Sequence, residues 1–229
     1  MSSSCPIAPV FTYPLDIRIT ELPKGRVLFR FHKNTYEADF FNPNQGRRID
    51  VPEDGSRFNP FPGAPATNVP TLYAADTLSA AALESVFHNV EHVPSPTYPR
   101  SQLAEWSYSK LRTARKLFVI KLVNPQLRQL SVPGRPTSIT ESELIHTPSS
   151  EYPHTRTWAQ LLHRAIPGID GLAWRPRLGG EGLAYVFFGD RSRPGDLKTH
   201  AAAVDVTSGR GFAKIHSIAR RANISILDL

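Results

Sequence analysis

The chain has 229 residues, 40% of them hydrophobic and 10% aromatic, enough for one large domain or two small ones and too apolar for wholesale disorder. Its formal charge is +7, from 27 basic and 20 acidic side chains scattered without a dense block, a balance suited to nucleic acid, a nucleotide pyrophosphate or an acidic protein. The single cysteine, Cys5, excludes an intramolecular disulfide and any cysteine-based zinc site.

The opening MSSSCPIAPVFTYP has no basic segment followed by an apolar run, so no signal peptide is expected. Nor does any stretch approach the length of a membrane-spanning helix, and a reduced, cytoplasmic setting follows. Residues 1–22 are expected to form a flexible tail before one domain over residues 23–229. Gly25 to His32 (GRVLFRFH) alternates as a strand does and carries Arg30. Asn42 to Gly55 and Arg57 to Pro70 are rich in Pro, Gly and Asn and read as loops, the second long enough to be functional. TLYAA (Thr71 to Ala75) is a short strand, and Asp76 is the expected N-cap of an alanine-rich helix with Glu84 inside it. Arg100 to Lys116 is expected to be a helix. Lys116 to Val123 is the strongest strand signal, and Leu127 to Val132 is a further expected strand. Pro133 to Ser150 reads as loop, and Thr155 to Ala165 has helical spacing that ends before Pro167 and Gly168. Strand, loop and strand follow, the last from Leu183 to Phe188. A basic amphipathic helix, Gly211 to Ala222, precedes a terminal strand in ISILDL. With no regular βαβ alternation, the pattern predicts a single α+β domain: a mixed, largely antiparallel sheet with flanking helices.

Phosphate-loop, dinucleotide-binding, zinc-protease and nucleophile-elbow motifs are all missing. His88 and His92 have i,i+4 metal-ligand spacing, but no third ligand is evident, and solvated histidines are the better reading. For the basic terminal helix, likewise, a solvated face is favoured over nucleic-acid binding. A distributed set stands out instead: Arg30, Arg57, Tyr73 and Glu84. Paired arginines clamp a pyrophosphate through charge-assisted hydrogen bonds. A tyrosine ring stacks on a nicotinamide or adenine, and a carboxylate at an apolar wall holds a ribose hydroxyl and stabilises an oxocarbenium-like charge. Each of these residues alone has an ordinary structural explanation, a solvated arginine, a core tyrosine or a surface glutamate.

In order and spacing, FRFH, GSRFNP, PTLYAADTLSAAALESV and IDGLAWRPRLGGEGLAYVFF resemble the RES domain family, from about Arg26 to Phe188. The resemblance implies an ADP-ribosyltransferase-like fold and a toxin that consumes NAD as its substrate, paired with an Xre-like antitoxin protein. Residue by residue it carries over to Arg30, Arg57, Tyr73 and Glu84, with catalytic roles for Glu84, Arg57 and Tyr73; the expected NAD-binding residues are Arg30, Arg57, Tyr73, Asn59 and, flanking Pro176, Arg175 and Arg177, and no metal is expected. Implied acceptors of ADP-ribose are water or phosphate (glycohydrolase or phosphorylase) or, alternatively, a protein side chain (mono-ADP-ribosyltransferase). The chain departs from the family pattern at Pro176, where a serine is usual and where a proline donates no hydrogen bond. That departure opens a further alternative, a non-catalytic module that binds a nucleotide or a partner. Ser56 or Ser208 would replace the missing hydroxyl only if the fold brings it near.

Overall fold

Short runs of alternating apolar side chains dominate the chain, and in the computed structural model they form strands more often than helices. Residues 4–9, 17–63, 67–90, 93–132, 134, 136–179, 181–193 and 195–228 are described. In chain order these contain β1 (Ile19–Leu22), β2 (Val27–Lys33), β3 (Thr71–Ala75), α1 (Leu78–Leu83), β4 (Thr97–Pro99), β5 (Trp106–Thr113) and β6 (Leu117–Lys121). Then come α2 (Glu141–Leu144), α3 (Tyr152–Ala165), β7 (Gly171–Trp174), β8 (Ala184–Phe188), β9 (Leu197–Thr199), β10 (Val204–Asp205), α4 (Gly209–Arg221) and β11 (Ser225–Leu227). Nine strands form one sheet in the order β1-β6-β7-β8-β3-β2-β5-β10, with β9 also on β5; β11 and β4 form a separate parallel pair. Among the described residues, only β6 and β7 of the large sheet run parallel. The expected single α+β domain with a mixed, largely antiparallel sheet is what the chain forms.

Alternation along each strand divides the core between the two faces of the sheet. Trp174, Val186 and Phe188 point to one face, where Trp158 and Leu162 of α3 cover them, and farther along that face α1 and α4 pack over Phe31 and Tyr108. Leu28, Leu72, Ala173 and Phe187 point to the other. β2 and β3 share a single paired position, Phe29 with Ala75, whereas β2 and β5 pair over seven. Beyond that position the two strands separate, and a cleft occupies the opening.

Several sequence expectations need correction. Arg100 to Lys116 is not a helix: a 3-10 turn (Arg100–Glu105) leads into β5. There, buried Ser109, Leu111 and Thr113 alternate with exposed Lys110 and Arg112, and pairing with β2 satisfies the backbone. The strand expected at Leu127 to Val132 is instead a 3-10 turn, Gln126–Gln129, that buries Leu127 and Leu130 three residues apart. Inside the segment read as loop, α2 forms because Thr140 and Glu143 make a reciprocal capping box. Within the segment read as a flexible tail, β1 pairs with β6, Ile17 is buried, and the Pro6 carbonyl accepts the Trp158 indole N–H at 2.7 Å. Thr77, not Asp76, caps α1, its hydroxyl accepting from Ala80 N at 3.1 Å. Asp76 instead accepts from Arg26, the Leu183 amide and the Tyr185 hydroxyl, tying β2 to β8. Finally, α1 stops at Leu83, so Glu84 terminates the helix rather than interrupting it.

Candidate functional site

Glu84 owes its position to the small residues before it. Ala80, Ala81 and Ala82 are buried, which lets α1 sit close on the sheet and directs the next side chain into the opening between β2 and β3. The carboxylate is 7% exposed and receives three donors. Its Oε2 accepts from Arg57 Nη1 at 3.2 Å and from Trp174 Nε1 at 3.1 Å, and its Oε1 accepts from the Arg177 backbone N–H at 3.0 Å. All three partners donate to the carboxylate; Oε1 takes one donor where Oε2 takes two, and the residue lines the cleft.

Arg57 lies on an irregular loop pinned by α3. The Thr155 hydroxyl donates to the Arg57 carbonyl, and the fully buried Arg156 donates to the carbonyls of Arg48, Ile49, Val51, Pro52 and Ser56. A rigid main chain therefore carries Arg57, whose guanidinium lies 5.5 Å from the Tyr152 ring centroid. One nitrogen is taken by Glu84, while buried Nε and Nη2 have no protein partner among the described residues. Two fixed donors of this kind suit an anionic or carbonyl oxygen.

Tyr73, on β3, donates its hydroxyl to Asn59 Oδ1 at 2.6 Å, and burial pushes its pKa up, so it stays a neutral donor. Asn59 donates in turn to Asn44 Oδ1 at 2.8 Å, and Asn44 to the Val69 carbonyl, also at 2.8 Å. The relay fixes the Tyr73 ring edge-on to Trp174, 6.0 Å between centroids. On β2, Arg30 donates to the Phe40 carbonyl at 2.9 Å; burial lowers its pKa to about 10 while Asp39 acts the other way, so it stays cationic at neutral pH.

Arg30, Arg57, Asn59, Tyr73, Glu84 and Arg177 all line one cleft of about 1230 Å³. Its walls carry five cations (Arg30, Lys33, Arg47, Arg57 and Arg177) against Glu53 and Glu84, an excess that attracts anions. Arg175 does not join them: its side chain is 66% exposed and lies 4.0 Å from Glu141. Buried Pro176 offers no hydroxyl, yet the turn it opens supplies the Arg177 N–H that holds Glu84. Ser56 lines the cleft, whereas Ser208 is exposed and bonded to Asp205. His92 lies outside the described residues, and among those described no group of three His, Cys, Asp or Glu side chains is placed to hold a metal ion. α4 buries Ile215, Ile218 and Ala219 and exposes Arg210, Arg220 and Arg221, a solvated basic face. Among the described residues no helix is long and apolar enough to cross a membrane.

Trp174 and Tyr152 escape the sequence reading, and His88, expected to be solvated, is instead largely buried in the site. The buried indole N–H of Trp174 demands an acceptor, a signal present in the sequence once its strand is recognised as core. His88 and Tyr152 complete the site from α1's continuation and α3, joined by a 2.6 Å hydrogen bond between His88 Nε2 and the Tyr152 hydroxyl. Burial and the Arg57 charge lower the His88 pKa to about 4, with Glu84 opposing, so its imidazole is neutral. No sequence spacing links residues 88 and 152.

The RES domain family model matches residues 27–207, most of the chain, and covers every residue of the cleft named above. Comparison with curated proteins finds no match.

Proposed function

The chain belongs to the RES domain family of NAD-related toxin–antitoxin domains, and we propose that it is the toxin of such a pair and cleaves the nicotinamide–ribose bond of NAD. The observation that carries this reading is the Glu84 carboxylate, held by three donors at the wall of a cationic cleft and beside two unpaired Arg57 donors. In this reading Arg57 and Arg30 receive the pyrophosphate, and Tyr73, locked by Asn59, faces the nicotinamide. Glu84 Oε1 accepts a ribose hydroxyl. As the C1′–N bond breaks, its electron pair neutralises the nicotinamide nitrogen and positive charge develops on C1′ and the ring oxygen. A carboxylate already oriented toward that charge stabilises it without reorganising. Water or phosphate then bonds to C1′, an attacking water releasing one proton to bulk solvent, which makes the activity a glycohydrolase or phosphorylase.

Support for catalysis over a binding-only module comes from the turn after Trp174. Pro176 removes a side-chain hydroxyl, but the Arg177 backbone N–H still orients the carboxylate. Transfer to a protein side chain remains the alternative chemistry of the same site. The proposed setting is the cytoplasm, where NAD is available, with an Xre-like antitoxin as cognate partner. Purified protein incubated with NAD is expected to release free nicotinamide, with labelled ADP-ribose left in solution. Binding of NAD without any release would overturn the enzyme reading, and label retained on protein would move the activity to transfer.

A further inference from the structure

The Glu84 cleft does not stop beneath α1. Past Ser85 and Asn89 it opens into a second depression of about 730 Å³, and Lys33 and Trp106 line both. Resting on the NAD reading above, we propose that this depression is the adenosine subsite, with the Trp106 indole as the platform on which adenine stacks.

Trp106 is half-buried at the junction and opens β5, where it pairs in register with Lys33 of β2. The Lys33 ammonium lies 4.4 Å from the indole centroid and is itself held by Glu105. Tyr98 lines the second depression together with Trp106. Sheet register and a cation thus hold the ring before any ligand arrives, which lowers the entropic cost of stacking. Lys33 sits over the indole, and the part of the ring not packed against the core lines both depressions, where a purine can reach it. The layout also matches a dinucleotide: Tyr73 and Glu84 take the nicotinamide riboside, the arginines take the phosphates, and the remaining half must lie beyond them. A mostly polar depression with one aromatic wall suits an adenosine better than an apolar ligand.

The test compares nicotinamide release from NAD and from nicotinamide mononucleotide, which lacks the adenosine half, in wild type, Trp106→Ala and Trp106→Phe. The ratio of kcat/KM for NAD to that for the mononucleotide is expected to fall about tenfold or more in Trp106→Ala, and to recover in Trp106→Phe. A ratio unchanged by Trp106→Ala overturns the subsite. If wild type releases nicotinamide from neither, the NAD reading itself fails, and AMP binding by calorimetry decides the subsite separately. AMP binding weakened about tenfold by Trp106→Ala supports it, and equal affinity in the two proteins, or no AMP binding, overturns it.

Discussion

Arg57 Nη1 and Glu84 Oε2 meet at 3.2 Å with both side chains almost fully buried, although 27 residues separate them in the chain. Breaking one side of such a pair leaves the other charge uncompensated, at a cost of about 3–5 kcal/mol. Glu84→Ala is therefore expected to lower the unfolding temperature strongly. Glu84→Gln keeps the volume and an oxygen for Arg57 and Trp174, so it should fold, while losing the charge that faces the ribose. Its nicotinamide release is expected to drop by roughly 100-fold or more. Wild-type turnover in Glu84→Gln would remove Glu84 from the mechanism.

Arg156 shows how the fold prepares Arg57. No carboxylate pairs with it among the described residues; five main-chain carbonyls of residues 48–56 do. Lysine supplies one cationic centre where the guanidinium supplies a planar fork, so Arg156→Lys strands several of these acceptors. These acceptors are only partly buried, so each one left unsatisfied costs about 1 kcal/mol, the low end for a buried group. The expected result is a loss of about 3 kcal/mol in urea denaturation, with a raised KM for NAD because the Arg57 loop loosens. A variant as stable as wild type would show that the loop is held by other contacts.

The legible and illegible parts of this protein divide on physical grounds. β2, β3, β6, β8, α3 and α4 were readable because their apolar residues repeat at two or near 3.6 positions. β5 was not, since serine and threonine hide its alternation and Arg, Lys and Leu suit a helix as well. Arg30, Arg57, Tyr73 and Glu84 stand out by residue type, a family resemblance adds weight to the set, and one cleft gathers all four. Arg175 lies outside the cleft although Arg177 lines it, because closeness in sequence says nothing about which way a turn projects its side chains. The His88–Tyr152 bond and the Arg156 carbonyl cage depend on α3 crossing the loops, a long-range fact with no local signature.

Gly211 offers a test in which two effects oppose. In a helix, alanine is favoured over glycine by about 1 kcal/mol. A Cβ at residue 211, however, would lie 1.7 Å from the Asp205 carbonyl oxygen, so α4 must move away from the strand beneath it. Overpacking against rigid backbone commonly costs about 1–3 kcal/mol or more, and here it outweighs propensity. Gly211→Ala is expected to lower stability in thermal denaturation. Because Ile215 and Ile218 share a core with α1, nicotinamide release should fall with it. A stabilised variant would mean that α4 seats less tightly than its contacts indicate.

His88 gives the protein an acid-sensitive element whose sign can be worked out. Burial and Arg57 first, then Arg177, hold its folded pKa near about 4, against the pull of Glu84, while an unfolded imidazole titrates near 6.5. Between those values the unfolded chain binds a proton that the folded chain refuses. Stability is thus full above pH 6.5 and falls as the pH drops toward 4. The loss across that window is on the order of 3 kcal/mol. His88→Gln keeps a hydrogen bond for the Tyr152 hydroxyl but has no titrating ring. Its stability should decline less than that of wild type between pH 7.5 and 4.5, by roughly 2 kcal/mol in paired urea melts. Carboxylates titrate in both proteins and cancel in the difference, so parallel decline would show that His88 is not held neutral by the cleft.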